Sequence, residues 1–475
     1  MAKVLLIQPP MTSKERFARG SESTASHIPP LGLAYIAAYI RQRGHHCRII
    51  DSLVQPSLLN NLNDLTAEFD VIGITIVSTY AFRAIQLIKA LKEHKHCPVV
   101  VVGGPHATAM PASMLANGAD YVVVGEGEQT MLEFVERMDT NGSEMRNIRG
   151  LMYLDGKDPV YAGPRSRIES LDLIPLPARD LLPMHLYRSS VARSSRQPSH
   201  SMLASRGCPG VCSFCSKMIF GTKVRYFSAE RIVEEFLLLQ NRYGAKDVAV
   251  WDDNFVANEE RVLSVCEQLL HKGFRCSWSV EARIDGVNRE VLLALKRAGC
   301  TFICYGIESG SQRVLDHMNK RIRKEQIRDT IRLTKEIGLS IRGYFMMGVP
   351  TETLGEMKET IRFSKELDVD VASYTLFCPL PGTLEYQRAL RTGTFPDPEY
   401  YLHRVVPEVN FPDEPLYIPA GMTSRELMKI HRKAYTRYYL RLKTLFRRLA
   451  EIRSLSDLPP LFQGAWTLLR NLFPS

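Results

Sequence analysis

The sequence predicts an α/β protein: a doubly wound five-stranded parallel sheet, then a (β/α)6 partial TIM barrel, then a helical C-terminal region. Three observations predict it. Apolar, β-branched runs alternate with amphipathic stretches over the first 140 residues, the alternation then stops, and it restarts near residue 201 with a second, longer count. Unbroken apolar runs are what parallel strands show when helices cover both faces of their sheet.

In the first block, residues 1–145, the strands are KVLLIQ (3–8), CRIID (47–51), VIGITI (71–76), PVVVVG (98–103) and YVVVG (121–125). Helices fit 31–44, 82–95, 111–116 and 128–139, where apolar residues recur every three or four positions. Residues 146–199 include GPRSRIESLDLIPLPARDLLP, rich in proline and charge, and read as a linker laid over the surface. In the block 200–390, strands are expected at 201–205, 247–251, 274–280, 301–306, 341–347 and 371–377. Helices fit 228–243, 259–271, 288–298, 325–337 and 353–367 between them. Residues 391–475 open irregularly and continue as a long helix. Its stripe of Leu427, Ile430, Ala434, Tyr438, Leu442, Leu445, Leu449 and Ile452 at spacings of three and four suits packing on a core.

Composition narrows the class. The 475-residue chain is 45% hydrophobic and 24% charged, ordinary for a soluble globular protein of two or three domains. No apolar run approaches the roughly 18 residues a spanning helix needs. The start, MAKVLLIQPP, reads as a first strand and not as a signal peptide, so the expected compartment is the cytoplasm. The net charge of +10 is concentrated: ten Lys or Arg and two Glu between Arg425 and Arg453 give +8. The remainder is close to neutral, which argues against a nucleic-acid-binding face spread over the fold.

Ten cysteines in a cytoplasmic chain should be thiols. Seven are scattered among apolar neighbours and read as small buried hydrophobes. The other three, Cys208, Cys212 and Cys215, share the stretch ASRGCPGVCSFCSK (204–217). Structural zinc would want a fourth ligand, and His200 lies on the wrong side of a strand. A redox pair would sit in a short βαβ unit. A four-iron cluster held by three thiolates leaves one iron open to a small-molecule ligand, which suits this spacing. The motif also falls at the C-terminal end of the first barrel strand, the rim where barrels of this kind carry their chemistry.

The CxxxCxxC spacing, with Phe214 just before the third cysteine, resembles the radical S-adenosylmethionine (SAM) superfamily. The resemblance implies that Cys208, Cys212 and Cys215 ligate a [4Fe–4S] cluster whose open iron takes the amino and carboxylate groups of SAM. WDDNF (251–255), EARID (281–285), YGIESGS (305–311), GYFMMGVPTET (343–353) and FCPLPGT (377–383) fall at the later strand ends. The superfamily's common Gly-Gly-Glu form is absent at the second of these ends. The implied SAM contacts are Phe214, Asp252, Asp253, Arg283, Glu308 and Ser309; for the charged ones the alternative is a salt bridge at the rim.

GGPHATAMP (103–111) and GEGEQT (125–130) both follow parallel strands, where glycines let backbone approach a ligand. Together with residues 28–51 and 73–92 they resemble the cobalamin-binding domain that precedes radical SAM barrels. The subfamily is that of the anaerobic magnesium-protoporphyrin monomethyl ester cyclase and cobalamin-dependent methylases, and the likeness covers roughly residues 1–390. The implied cobalamin contacts are Ser78, Thr79, Gly103, Gly104, His106, Gly125 and Glu126. The loop PPMTSKERFARG has no histidine to sit under cobalt, so cobalamin would lack that ligand; the alternative is a domain that keeps the fold without the cofactor.

The resemblance implies a 5′-deoxyadenosyl radical that takes hydrogen from an unreactive carbon of an apolar small molecule. Methylation or oxidative ring closure follows, with a flavodoxin- or ferredoxin-type electron donor. The basic segment, the aromatic cluster YTRYYLRL (435–442) and the tail FQGAWTLLRNLF (462–473) suggest peripheral contact with an anionic membrane through 425–475, or packing alone.

Overall fold

The structure, a computed structural model, describes residues 1–12, 15, 26–59, 62–138, 145–189, 193, 196–395, 397–406 and 414–444. The first sheet contains β1 (Lys3–Gln8), β2 (His46–Asp51), β3 (Val71–Thr75), β4 (Val99–Gly103), β5 (Tyr121–Val123), β6 (Leu151–Asp155) and β7 (Asp158–Tyr161). Their order is β2-β1-β3-β4-β5-β6-β7. The first five run parallel, and β6 and β7 are antiparallel additions. Along β1, Leu5 and Ile7 enter one apolar core while Val4 and Leu6 enter the other, which is why the strand lacks polar alternation. The order reverses between β1 and β3, and ligands of doubly wound sheets bind at the carboxyl ends beside such a reversal.

The sheet therefore has seven strands among the described residues where the sequence suggested five. The extra pair is a hairpin within the stretch expected to be a linker. The rest of that stretch is not a surface strap either. Ile168, Leu171 and Ile174 are buried in the core of the second unit, and Ala178, Leu182, Met184 and Tyr187 in that of the first. Single apolar residues between prolines show no period, yet each is buried in one of the two cores.

The second unit contains β8 (Ser199–Met202), β9 (Ser205–Arg206), β10 (Arg225–Tyr226), β11 (Asp247–Val250), β12 (Ser277–Ala282), β13 (Cys300–Glu308), β14 (Ser340–Met347) and β15 (Val371–Leu376). Six of them form one parallel sheet, β8-β11-β12-β13-β14-β15, and β9 pairs antiparallel with β10. Each parallel strand lies beside the next in sequence, so every helix returns the chain in the same sense. Ser228, Asn258, Asn288 and Thr353 start four of these helices by accepting an N–H from the first turn. All strand ends that bear the motif segments thus share one rim.

The helix Ser424–Tyr439 covers the exposed edge of β15. The Tyr435 hydroxyl accepts from the Tyr374 N–H at 3.1 Å and donates to its carbonyl at 2.9 Å. Tyr439 does the same for Ala372, at 3.1 and 2.9 Å. Four helical residues rise about 6 Å and two strand residues about 6.6 Å, so hydroxyls one turn apart match alternate strand residues. This seals an edge that would otherwise offer unpaired main-chain groups. Of the aromatic cluster, Tyr435 and Tyr438 are buried, as the packing alternative has it, while Leu442, counted in the packing stripe, is 72% exposed. Leu445, Leu449, Ile452 and the tail 462–473 lie outside the described residues.

Candidate active site at the strand ends

The cysteine loop follows β9 and is clamped by two other strand-end segments. Ser213 donates its N–H to the Met318 carbonyl at 2.9 Å and its hydroxyl to Glu385 at 2.6 Å. Asn319 donates to the Val211 carbonyl at 3.1 Å, and Lys217 to the Cys208 carbonyl at 3.2 Å. The loop's backbone is therefore spent on the protein while its sulfurs are not. Cys208, Cys212 and Cys215 are all free thiols, and Arg283 Nη1 lies 3.5 Å from Cys212 Sγ. Among the described residues no three His, Cys, Asp or Glu side chains are gathered to hold a metal ion. A donor set of three thiols on a clamped loop fits a cluster, in which each thiolate takes a different iron.

Phe214, Arg283 and Glu308 come together around a residue absent from the sequence reading, Lys320. Lys320 Nζ lies 5.7 Å from the centre of the Phe214 ring and donates to Glu308 Oε1 at 2.7 Å in a buried pair. A Cβ at Gly306 would stand 2.6 Å from Glu308 Oε1, so only glycine leaves room for this ion pair. Glu308 itself has a φ of 66°, a left-handed conformation that costs a non-glycine residue of order 1 kcal/mol and recurs at functional sites. Arg283 donates to Asp285 at 2.9 and 2.8 Å and to the Lys320 carbonyl at 3.0 Å, which ties β12 to the loop beyond β13.

Asp252 and Ser309 do other work. Asp252 is buried and accepts from the Ala204 N–H at 2.6 Å and the Ser205 hydroxyl at 2.5 Å, so it fixes the chain entering the cysteine loop. Ser309 is fully buried, 3.1 Å from the Thr360 hydroxyl, and anchors the helix Leu354–Leu367. Asp253 stays at the loop, where burial raises its carboxyl and a hydrogen bond from the Gly207 backbone opposes the rise. Glu352 was also missed. Its Oε2 accepts from Gly348 and Val349 at 2.7 and 3.2 Å, its Oε1 is buried without a partner, and burial pushes its carboxyl up to about 8.

Ser78, Thr79, Gly103, Gly104 and His106 meet at the ends of β3 and β4. His106 is buried with Nδ1 3.0 Å from the Ser78 hydroxyl, and its Nε2 has no partner. Gly103 accepts from Ile76, and Gly104 caps the short helix that carries His106. The Thr79 carbonyl accepts from Val406, whose segment 397–406 covers this end of the sheet and sets Tyr401 6.0 Å from the imidazole. Gly125, with a φ of 95°, has open space where a Cβ would be. An unpartnered buried nitrogen and an open glycine edge fit a ligand that approaches the backbone here.

Glu126 lines a cavity with Gly125 and at the same time spends its carboxylate on the second unit. It accepts from Arg225 at 2.9 and 2.8 Å and from Arg206 at 3.1 Å, and Arg206 also donates to Glu128 at 2.5 Å. Two carboxylates of the first unit thus balance two guanidiniums of the second in a buried joint.

Residues 22–135 match the B12-binding domain family, and residues 202–364 match the radical SAM superfamily. Over 454 residues the chain is 34% identical to an uncharacterised methyltransferase of Pyrococcus horikoshii, covering 94% of this chain and 95% of the relative. The chain belongs to the radical SAM enzymes that carry a B12-binding domain. It is also 27% identical over 393 residues to the anaerobic magnesium-protoporphyrin IX monomethyl ester cyclase of Rubrivivax gelatinosus, covering 80% of this chain and 68% of that one. Two solved structures share the fold. One is the cobalamin-dependent radical enzyme OxsB with aqua-cobalamin bound, with TM-score 0.75, 16% identity and coverage of 100% of this chain and 72% of that one. The other is the methyltransferase TsrM of Kitasatospora setae with cobalamin and a [4Fe–4S] cluster bound, with TM-score 0.68, 18% identity and coverage of 93% and 89%. The cofactors of this radical SAM enzyme are accordingly the [4Fe–4S] cluster, SAM and cobalamin.

The buried His106 carries a pH signature. Burial lowers its pKa to about 4, whereas an unfolded histidine titrates near 6.5. Between those values the unfolded chain binds the extra proton, so stability falls as pH drops from about 6.5 to 4, by about 3 kcal/mol for this group. His431, also lowered by burial to about 4, adds to the same slope. Denaturation by urea across this window is expected to show a shallower acid loss in His106→Gln; an unchanged slope would mean His106 is protonated in the folded enzyme.

Proposed function

We propose that this radical SAM enzyme methylates an unactivated carbon of a small, largely apolar molecule in a cobalamin-dependent reaction. The observation that supports it is the meeting of the two units' ligand ends. A Cβ at Gly382, in the loop after β15, would touch Met218 beyond the cysteines and stand 3.4 Å from Ala109 beyond His106. The crevice of the first sheet thereby opens toward the rim that bears the thiols, and the six-stranded sheet acts as the partial barrel between them.

When bound, the cluster and SAM supply a 5′-deoxyadenosyl radical, and cobalamin supplies a methyl group. The chain's part is positioning and shielding. Cys208, Cys212 and Cys215 hold the irons, and the Arg283 guanidinium directs positive charge at the Cys212 sulfur. Lys320 and Glu308 present a neutral, fixed ion pair beside Phe214, and the surrounding strands keep water from a reactive radical. Ser78 and His106 would hold cobalamin at its edge, the imidazole staying neutral because it is buried.

Oxidative ring closure is the second reading, supported by the similarity to the cyclase of Rubrivivax gelatinosus. Mass analysis separates them. Anaerobic incubation with methyl-labelled SAM, a flavodoxin- or ferredoxin-type donor and an extract of lipids and pigments should yield a product heavier by one labelled methyl. A product lighter by lost hydrogen, without label, would favour ring closure. All ten cysteines are free thiols, which supports work in the cytoplasm. None of the described helices is long and apolar enough to cross a membrane, and the exposed Arg425, Lys429, Lys433 and Arg437 support a peripheral contact with an anionic surface.

A further inference from the structure

The face of the six-stranded sheet that points away from its helices is unusually polar. Glu281 of β12, Cys304 of β13 and Arg342 of β14 are in register and form one row across three strands. Arg193, from the segment before β8, lies across this face. Its Nη1 donates to Glu281 at 2.7 Å, its Nε to the Ser279 hydroxyl at 3.0 Å, and its guanidinium stacks 4.1 Å from the centre of the Trp251 ring. Both arginines are at least nine-tenths buried.

Charge does not balance here. Burial raises the Tyr344 phenol far above neutrality, and burial first, then the Glu281 charge, push the Cys304 thiol up to about 11, so both groups are uncharged at neutral pH. Among the described residues Glu281 is then the one carboxylate in contact with Arg193, and its other oxygen-borne contact on this face is the Tyr344 hydroxyl, not Arg342. Hydrogen bonds do not balance either. Arg193 Nη2, Arg342 Nε and Trp251 Nε1 are buried N–H donors with no acceptor among the described residues. A buried excess positive charge with three idle donors is costly unless something anionic completes it.

We propose that Arg193, Arg342 and Trp251 form a binding site for an oxyanion group of the substrate, a carboxylate or a phosphate. This deepens the reading of the strand ends as the place of reaction, and rests on it for the word substrate. The row lies just inside that place. Arg283, which reaches Cys212, is two residues beyond Glu281, a rise of about 7 Å along the strand direction. A molecule anchored by its acid group on this row would extend its apolar part toward the thiols. Planar guanidiniums suit both carboxylate and phosphate, and Glu281 limits the affinity so that product can leave.

Isothermal titration of the full-length, reconstituted enzyme tests this, with SAM present and ionic strength fixed. The probes are inorganic phosphate and hexanoate. Saturable binding of either is expected; phosphate alone identifies a phosphorylated substrate, and hexanoate alone an acid with an apolar chain. Arg193→Gln should weaken binding about tenfold or more, as loss of a charged hydrogen bond does. Glu281→Gln should tighten it severalfold, because it removes the repelling carboxylate. The opposite sign keeps the test valid where Arg193→Gln fails to fold. No saturable binding of either probe, or binding indifferent to Glu281→Gln, overturns the proposal. Binding is read without turnover, so failure of methyl transfer would leave this result standing, and the reverse.

Discussion

Replacing Cys212 by Ala is expected to reduce bound iron to background and to abolish reductive cleavage of SAM. The loss should be all-or-none, because a cluster whose remaining thiolates are Cys208 and Cys215 lacks one of its three protein ligands and binding is coupled to the complete set. The clamps on Ser213 and Val211 do not involve the sulfur, so the loop keeps its path and the variant should fold. Cys266→Ala is the matched comparison. Cys266 is buried in the core on the helix Glu259–His271. Its removal should cost about 1 kcal/mol of packing and leave the iron in place. Elemental analysis of both variants decides the point: unchanged iron in Cys212→Ala would sink the ligand assignment.

Glu126→Gln is expected to destabilise the protein by about 3–5 kcal/mol, the usual consequence of leaving a buried charge without its partner. Arg206 and Arg225 are both buried, and Glu126 is the carboxylate that joins them. The Arg guanidiniums, together with these hydrogen bonds, overcome burial and hold its carboxyl below the ordinary range. The change should appear as a lower unfolding midpoint and faster proteolysis between the two units. An exposed pair such as Lys223–Glu169 gives the contrast, since solvent screens it and its removal should change nothing measurable. A Glu126→Gln variant as stable as the parent would mean the joint is not what holds the units together.

Much of this architecture is legible in the sequence because one pattern dominates it. Strands such as VVVVG and VASYTL, buried and bounded by capped helices, announce themselves by composition alone. The hairpin β6–β7 was equally available: Gly156 and Lys157 separate LMYLD from DPVY, a two-residue turn with glycine at a φ of 66°. Proline at 159 and the charged surroundings hid it. The cysteine motif was legible because its three thiols sit within eight residues. Lys320 was not, since it meets Glu308 from 12 positions further on, beyond the short helix Gln312–His317, with no period to mark it. Arg193 meets Glu281 across 88 positions, a contact that only the folded sheet creates. Glu126 stands at a glycine-rich strand end that is legible, but its pairing with two arginines about 80 and 99 residues away is not.

The central claim is that one chain brings a radical-generating cluster and cobalamin to the same small molecule. Its most direct test is the pair of products that SAM leaves behind. The reconstituted enzyme should release 5′-deoxyadenosine with the cluster intact, and S-adenosylhomocysteine as well only when loaded with cobalamin. Cys212→Ala should lose the first product. An enzyme that retains a corrinoid and makes 5′-deoxyadenosine, yet never S-adenosylhomocysteine, would contradict the account.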